Sequence, residues 1–271
     1  STLDTMRRIG LLFLLASLLL PRIPMAGERN VDLALVLLTD VSRSVDAQEY
    51  ALMKAGYAAA LTDPRVLAAI AGGPQAAIAI LYVEFAGAQE VRALVEWTVA
   101  SDAASAAAFA ARVQQSPRAF WGRTSVSAGI DHALAALLRD LDSAGIAADR
   151  LVIDVCGDGT NNSGRKVTAA RDEAVAAGIT INALVIHSDP ANAWTAAHVN
   201  PPGGLTNWFR DNVMGGLGAF VLEIEDFASF GHGMTRKLIT EIAALPSLHP
   251  LSFHLAAAPR QGMPRLPARG R

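Results

Sequence analysis

The chain alternates near-continuous apolar runs with longer segments of helical character. Residues 31–39 (VDLALVLLT) are almost wholly apolar and end at Asp40, the pattern of a strand buried on both faces. Residues 76–85 and 91–99 read as two more strands joined by a short turn near Gly87, a hairpin. Runs over 151–156, 180–186 and 219–224 supply the remaining strands. Between these lie helices. Asp46 can cap one that runs to about residue 61, with Glu49 three positions on as in a capping box. An alanine-rich helix begins at Ser101 or Asp102 and runs to about Gln115, before Pro117. Others are predicted over about 125–144, over 166–177 before Gly178, and over 227–245 before Pro246.

Strands alternating with helices in this way predict an α/β fold. The expected core is a doubly wound, mostly parallel sheet with one antiparallel edge strand from the hairpin and helices on both faces. Two segments fall outside the scheme. Residues 187–207 read as a long connection carrying Asp189, Trp194 and Pro201-Pro202-Gly203-Gly204, and connections of that length are more often functional than idle. Residues 251–271, rich in Pro and Arg, are expected to form a disordered tail.

Composition narrows the class. With 271 residues, 52% hydrophobic and 18% charged, the chain is globular and long enough for one substantial domain. Met6-Arg7-Arg8, the apolar run 9–20 and the small Ala26 read as an export signal over residues 1–26. That run falls short of the roughly 20 residues a membrane helix needs. The body, 27–250, is therefore expected to be periplasmic or secreted with no stable membrane span, an uncleaved N-terminal anchor being the alternative. Residues 27–258 hold 16 of the 23 Lys and Arg but 24 of the 25 Asp and Glu, a net −8. An acidic body offers no electrostatic basis for nucleic-acid binding. The sole cysteine, Cys156, cannot form an internal disulfide and reads as a buried structural thiol.

The candidate chemistry lies in three short segments: Asp40-Val41-Ser42-Arg43-Ser44, Gly122-Arg123-Thr124 and Gly157-Asp158-Gly159. Asp40 and Asp158 follow predicted strands, and ligands of open α/β sheets bind outside the carboxyl ends of strands. Two carboxylates and three hydroxyls, without sulfur or imidazole, suit a hard cation: Mg2+, or Mn2+ or Ca2+. Such a set leaves the ion incompletely neutralised and able to capture an external carboxylate.

The constellation resembles the metal-ion-dependent adhesion site (MIDAS) of von Willebrand factor A domains, whose pattern is Asp-x-Ser-x-Ser, a distant Thr and a distant Asp. Asp40, Ser42, Ser44, Thr124 and Asp158 match it in chain order. The resemblance covers about residues 31–245. The stretch 208–220 (WFRDNVMGGLGAF) is similar to an uncharacterised bacterial group of such domains. It implies a non-catalytic module in which the serines and threonine ligate the cation, the aspartates act mostly through water, and a protein or peptide partner supplies a carboxylate. Arg43 and Val45 stand where small residues are commoner, and Gly157 replaces a Ser or Thr before Asp158.

The alternative is a haloacid-dehalogenase-like magnesium phosphotransferase using Asp40 as nucleophile and Asp158 in a Gly-Asp-Gly-x-Asn-Asp-like motif. Against it, the general acid expected two residues after the nucleophile is Ser42, and only Arg150 lies near the expected lysine position. Trp121, Trp194 and Trp208 are candidates for a recognition rim. So are His187 and Asp189, after a strand on the same side. The other histidines, His198 among them, are expected to be surface or capping residues.

Overall fold

The computed structural model describes residues 28–188 and 193–244, without the side chains of 193–195. The expected export segment, the expected tail, Asp189 and the side chain of Trp194 lie outside the described residues. In chain order the elements are β1 (Arg29–Val31), β2 (Leu33–Asp40), α1 (Ala47–Leu61), α2 (Pro64–Ala71), β3 (Ile78–Phe85) and β4 (Val91–Ala100). Then come α3 (Ala103–Gln115), α4 (Val126–Ala135, prolonged by a π turn at Ala136–Asp140), β5 (Ile146–Ala148), β6 (Leu151–Gly157) and α5 (Val167–Ala176). The last are β7 (Thr180–Ile186), α6 (Ala193–Val199), α7 (Leu205–Asn212), β8 (Val221–Ile224) and α8 (Phe230–Ala243).

The main sheet has the order β4-β3-β2-β6-β7-β8, parallel except for the β3–β4 edge pair. Every residue of β2 is buried, because side chains alternate between two apolar layers. Leu33, Leu35 and Leu37 join a core with Tyr57, Phe109, Phe230 and Met234. Ala34, Val36 and Leu38 join a second core with Ile130, Ala170, Phe209 and Val213. Helices α1, α3 and α8 cover the first face, and α4, α5 and α7 the second. The chain leaves β2 toward β3 on one side and returns to β6 on the other. The crevice this opens between the ends of β2 and β6 is the switch point of the sheet.

Three details depart from the pattern-based reading. The run at 31–39 is interrupted at Asp32, whose carboxylate accepts from the amides of Gln75 (2.9 Å) and Ala77 (3.4 Å). The chain before it forms β1, which pairs with β5 in a separate parallel ribbon. Helix α2 was not expected, although its signal is present: Asp63 caps it and Pro64 opens it. The connection 187–207 is not a structureless loop. It contains α6 and the start of α7, and Leu205, Phe209 and Val213, four residues apart, bury one face of α7 and the residue after it.

The two glycines Gly56 and Gly231 let α1 and α8 cross closely: a Cβ at Gly56 would lie 2.6 Å from the Phe230 ring. A buried ion cluster joins α8 to the sheet. Lys237 Nζ lies 2.6 Å from Asp154 Oδ1 and 2.5 Å from Glu241 Oε1, all three side chains fully buried. Burial alone would lower Lys237, but Asp154 and Glu241 hold it above its ordinary value. Asp154 is pushed up to about 7 by burial and by Glu241. Cys156 is buried as expected, and burial pushes its thiol up.

Candidate functional site

The structure brings the five predicted site residues to one place, the crevice between the ends of β2 and β6. Asp40 closes β2, and its Oδ1 accepts from the Ser42 amide (2.8 Å), which turns the chain sharply toward α1. That turn places Ser42 and Ser44 on one side, their hydroxyls 3.1 Å apart. Ser44 Oγ donates to Asp158 Oδ1 at 2.7 Å. Thr124 Oγ1 donates to Ser42 Oγ at 2.8 Å. The capping box of Asp46 and Glu49, present as expected, fixes where α1 begins.

Two further devices hold the loops in register, and neither was expected from sequence, where Asn162 stands only at the last Asp position of the phosphotransferase-like motif. Asn162 accepts from the Thr124 amide through Oδ1 (3.0 Å) and donates its own amide to the Thr124 carbonyl (2.9 Å). This two-point clamp ties the loop after Asp158 to the loop before α4. Arg118 donates to the carbonyls of Val41 (2.7 Å) and Ser42 (2.9 Å), fixing the turn after β2 from the opposite side. Ser188, just beyond β7, reaches Asp158 Oδ2 at 3.3 Å.

The electrostatics are those of two carboxyls held together in a buried crevice. Asp40 is buried, and its Oδ2 has no hydrogen-bond partner among the described residues. Its carboxyl is pushed up to about 8, by burial first and by the Asp158 carboxylate second. Burial also pushes Asp158 up to about 6, against the hydrogen bond from Ser44. Two buried carboxyls, one with an unpaired oxygen, resist ionising together in these surroundings, the situation a divalent cation relieves. Among the described residues, no three His, Cys, Asp or Glu side chains gather as a metal group. The donors here are hydroxyls and two carboxylates, a hard oxygen set that fits Mg2+.

The rim residues divide. Trp121 is 63% exposed, with the Arg118 guanidinium 5.0 Å from its ring centre. Trp208 packs edge-on against Phe209 at 5.3 Å and helps seat α7 on the domain. His187 turns to Glu223 Oε2 (3.4 Å) and Thr206 Oγ1 (3.3 Å), away from the five donors. The expectation that His198 caps or lies on the surface fails. From α6 its Nε2 comes within 3.1 Å of Thr124 Oγ1, and burial, with Arg123 nearby, lowers its pKa. No signal in its sequence neighbourhood marks it, since α6 is brought over the site by chain folding alone. A cavity of about 280 Å³ opens above the hydroxyls, lined by Arg43, Arg123, Asn162 and His198 among others. Arg150, the basic residue nearest the phosphotransferase lysine position, lies at the opposite end of β6, bonded to the carbonyls of Glu241 and Ile242.

The fold has solved counterparts. Proximal thread matrix protein 1 from the mussel byssus, with a zinc-occupied MIDAS motif, aligns at 16% identity and TM-score 0.54, over 80% of this chain and 50% of that one. A von Willebrand factor type A protein from Catenulispora acidiphila gives 16% and 0.51, over 79% of this chain and 43% of that one. The pilus adhesin SpaC from Lactobacillus rhamnosus GG gives 14% and 0.53, over 80% and 31%. The chain spans half or less of the length of each. Such likeness establishes the fold, that of a von Willebrand factor A domain. No curated protein matches the sequence. Residues 30–246 match the family described as protein of unknown function DUF1194, and the chain belongs to that family.

Proposed function

We propose that this protein is an exported, non-catalytic adhesion-type module that binds a divalent cation through Asp40, Ser42, Ser44, Thr124 and Asp158. Through that ion it captures a carboxylate from a protein or peptide partner. The observation that carries the reading is Asp40 Oδ2, buried and unpartnered in the crevice where the hydroxyls of Ser42, Ser44 and Thr124 meet. Mg2+ suits the donor set best, with Mn2+ or Ca2+ as substitutes. The zinc-occupied MIDAS motif of the mussel byssus protein supports a divalent ion at such a site. Residues 1–26 direct export to the periplasm or beyond, and 27–250 form the working domain. No helix among the described residues is long and apolar enough to cross a membrane.

When bound, the cation supplies a Lewis-acidic anchor for an incoming carboxylate. The protein's own residues do the rest: Asn162 and Arg118 hold the three loops in place, and Arg43 and Arg123 set a basic mouth in an otherwise acidic body. The phosphotransferase alternative finds no support here. Asp40 is 1% exposed, and a serine stands where the general acid is needed. Titration calorimetry with Mg2+ tests the reading: native protein binds, and Asp40→Ala and Asp158→Ala do not while keeping the native circular dichroism. Unchanged Mg2+ affinity in either folded variant refutes it.

A further inference from the structure

The rim hydroxyls form a directional chain that ends on an imidazole. Ser44 Oγ gives its one proton to Asp158 Oδ1 (2.7 Å), so it accepts from Ser42 Oγ at 3.1 Å. Thr124 Oγ1 gives its proton to Ser42 Oγ (2.8 Å), so it accepts from His198 Nε2 at 3.1 Å. The other ring nitrogen gives the same answer. Asn162 Oδ1 accepts from the Thr124 amide (3.0 Å), which orients the side-chain amide and turns Nδ2 toward His198 Nδ1 (3.2 Å). The Thr160 hydroxyl, 3.0 Å from the same nitrogen, can turn its own proton toward it, so with the Asn162 amide facing it Nδ1 is the acceptor and the ring proton stays on Nε2. The ring is seated closely: a Cβ at Gly159 would lie 2.2 Å from Nε2, and the His198 carbonyl accepts from the Thr160 amide at 3.1 Å.

We infer that His198 is a ligand-recognition residue: its Nε2–H, given to Thr124 Oγ1 while that oxygen holds no cation, turns to the carboxylate that completes the cation's shell once Thr124 Oγ1 is a ligand. This inference rests on the cation reading above. Neighbouring oxygens in an octahedral Mg2+ shell lie about 3 Å apart. A donor 3.1 Å from Thr124 Oγ1 is therefore within reach of an oxygen in the adjoining position. With its proton on Nε2 and the Asn162 amide facing Nδ1, the ring is set to read the ligand and not the ion. A carboxylate bound to the ion through one oxygen has a second oxygen left to accept this hydrogen bond. Arg43 and Arg123, lining the same cavity, favour an acidic ligand over a neutral one. The ligand class is thus an Asp or Glu side chain within an acidic segment.

The test uses the full chain loaded with Mn2+. The probe is a Gly-Asp-Gly peptide blocked at both ends, with Gly-Asn-Gly as control. Mn2+ affinity is read from the paramagnetic resonance of free ion, and peptide affinity from the water-proton relaxation of bound ion. The Asp peptide is expected to bind and the Asn peptide not. His198→Phe should weaken the Asp peptide by roughly tenfold or more, the scale of one charge-assisted hydrogen bond, with no matching fall in Mn2+ affinity. His198→Gln, which retains an N–H, should restore most of the loss. Undiminished peptide binding by His198→Phe overturns the inference and leaves the cation reading intact. Failure of the unaltered chain to bind Mn2+ removes the cation reading and the inference together. Nitrogen-15 NMR of the metal-free protein gives a second readout: the Nε2–H tautomer is expected, and the Nδ1–H tautomer overturns the assignment.

Discussion

Replacing Asp40 with Asn separates the two consequences of a buried carboxylate with one unpartnered oxygen. Asn keeps the shape and the acceptor for the Ser42 amide but cannot ionise. In the metal-free protein the Asp40 carboxyl is raised from an ordinary 3.8 to about 8. A raised acid is fully compatible with folding below about pH 4, and that stability is lost as pH climbs toward 8, because the unfolded chain ionises first. At pH 7 the difference amounts to about 4 kcal/mol against the fold, falling to about 2 kcal/mol at pH 5 and reaching about 5 kcal/mol at pH 8. Metal-free Asp40→Asn should therefore melt higher than the native protein, by about 10 °C at pH 8 for a domain of this size, and by much less at pH 5. Mg2+ should raise the melting temperature of the native protein and leave that of the variant unmoved. Thermal denaturation followed by circular dichroism at the two pH values, with and without Mg2+, measures all of this. A variant no more stable than native at pH 8, an advantage that does not shrink at pH 5, or an equal Mg2+ response in both proteins refutes the reasoning.

Other outcomes follow from the same geometry. Ser44→Ala removes a hydroxyl donor and the hydrogen bond to Asp158, and should weaken Mg2+ binding by about tenfold or more in calorimetry while changing stability by only about 1 kcal/mol. Lys237→Met strands Asp154 and Glu241 without their shared cation and should destabilise the fold by about 3–5 kcal/mol in urea titration. A loss below about 1 kcal/mol there would mean that the cluster carries little of the α8 anchorage. Gly56→Ala drives a methyl into the Phe230 ring and the Gly231 backbone, and should lower stability by about 1–3 kcal/mol through the α1–α8 crossing without altering Mg2+ affinity.

Much of this molecule is written in local pattern. The unbroken apolar run of β2 announces a strand buried on both faces, and alternation along it assigns Leu35 to one core and Val36 to the other. The capping box at Asp46 and the stop before Pro117 mark helix ends through backbone hydrogen bonds a few residues long. The proposed ligand set is legible for the same reason: Asp-x-Ser-x-Ser is a single turn, and Asp158 follows a strand whose place beside β2 follows from the doubly wound order. The helical start of α7 was missed because Pro201-Pro202-Gly203-Gly204 hides the spacing of Leu205 and Phe209 that follows.

What chain order cannot carry is any partner chosen across the fold. Asn162 clamping Thr124, Arg118 holding the β2 turn and Lys237 bridging to Asp154 each join residues tens of positions apart. His198 is the clearest case, lying 74 positions from the threonine it touches. Sequence alone determined the main strands, most of the helices and the five candidate oxygen donors, since these depend on short-range periodicity and turn chemistry. Tertiary structure alone decided which carboxylate oxygen is left unpaired and which imidazole faces the hydroxyls. Those depend on where helices dock, and docking is settled by the packing of two whole cores.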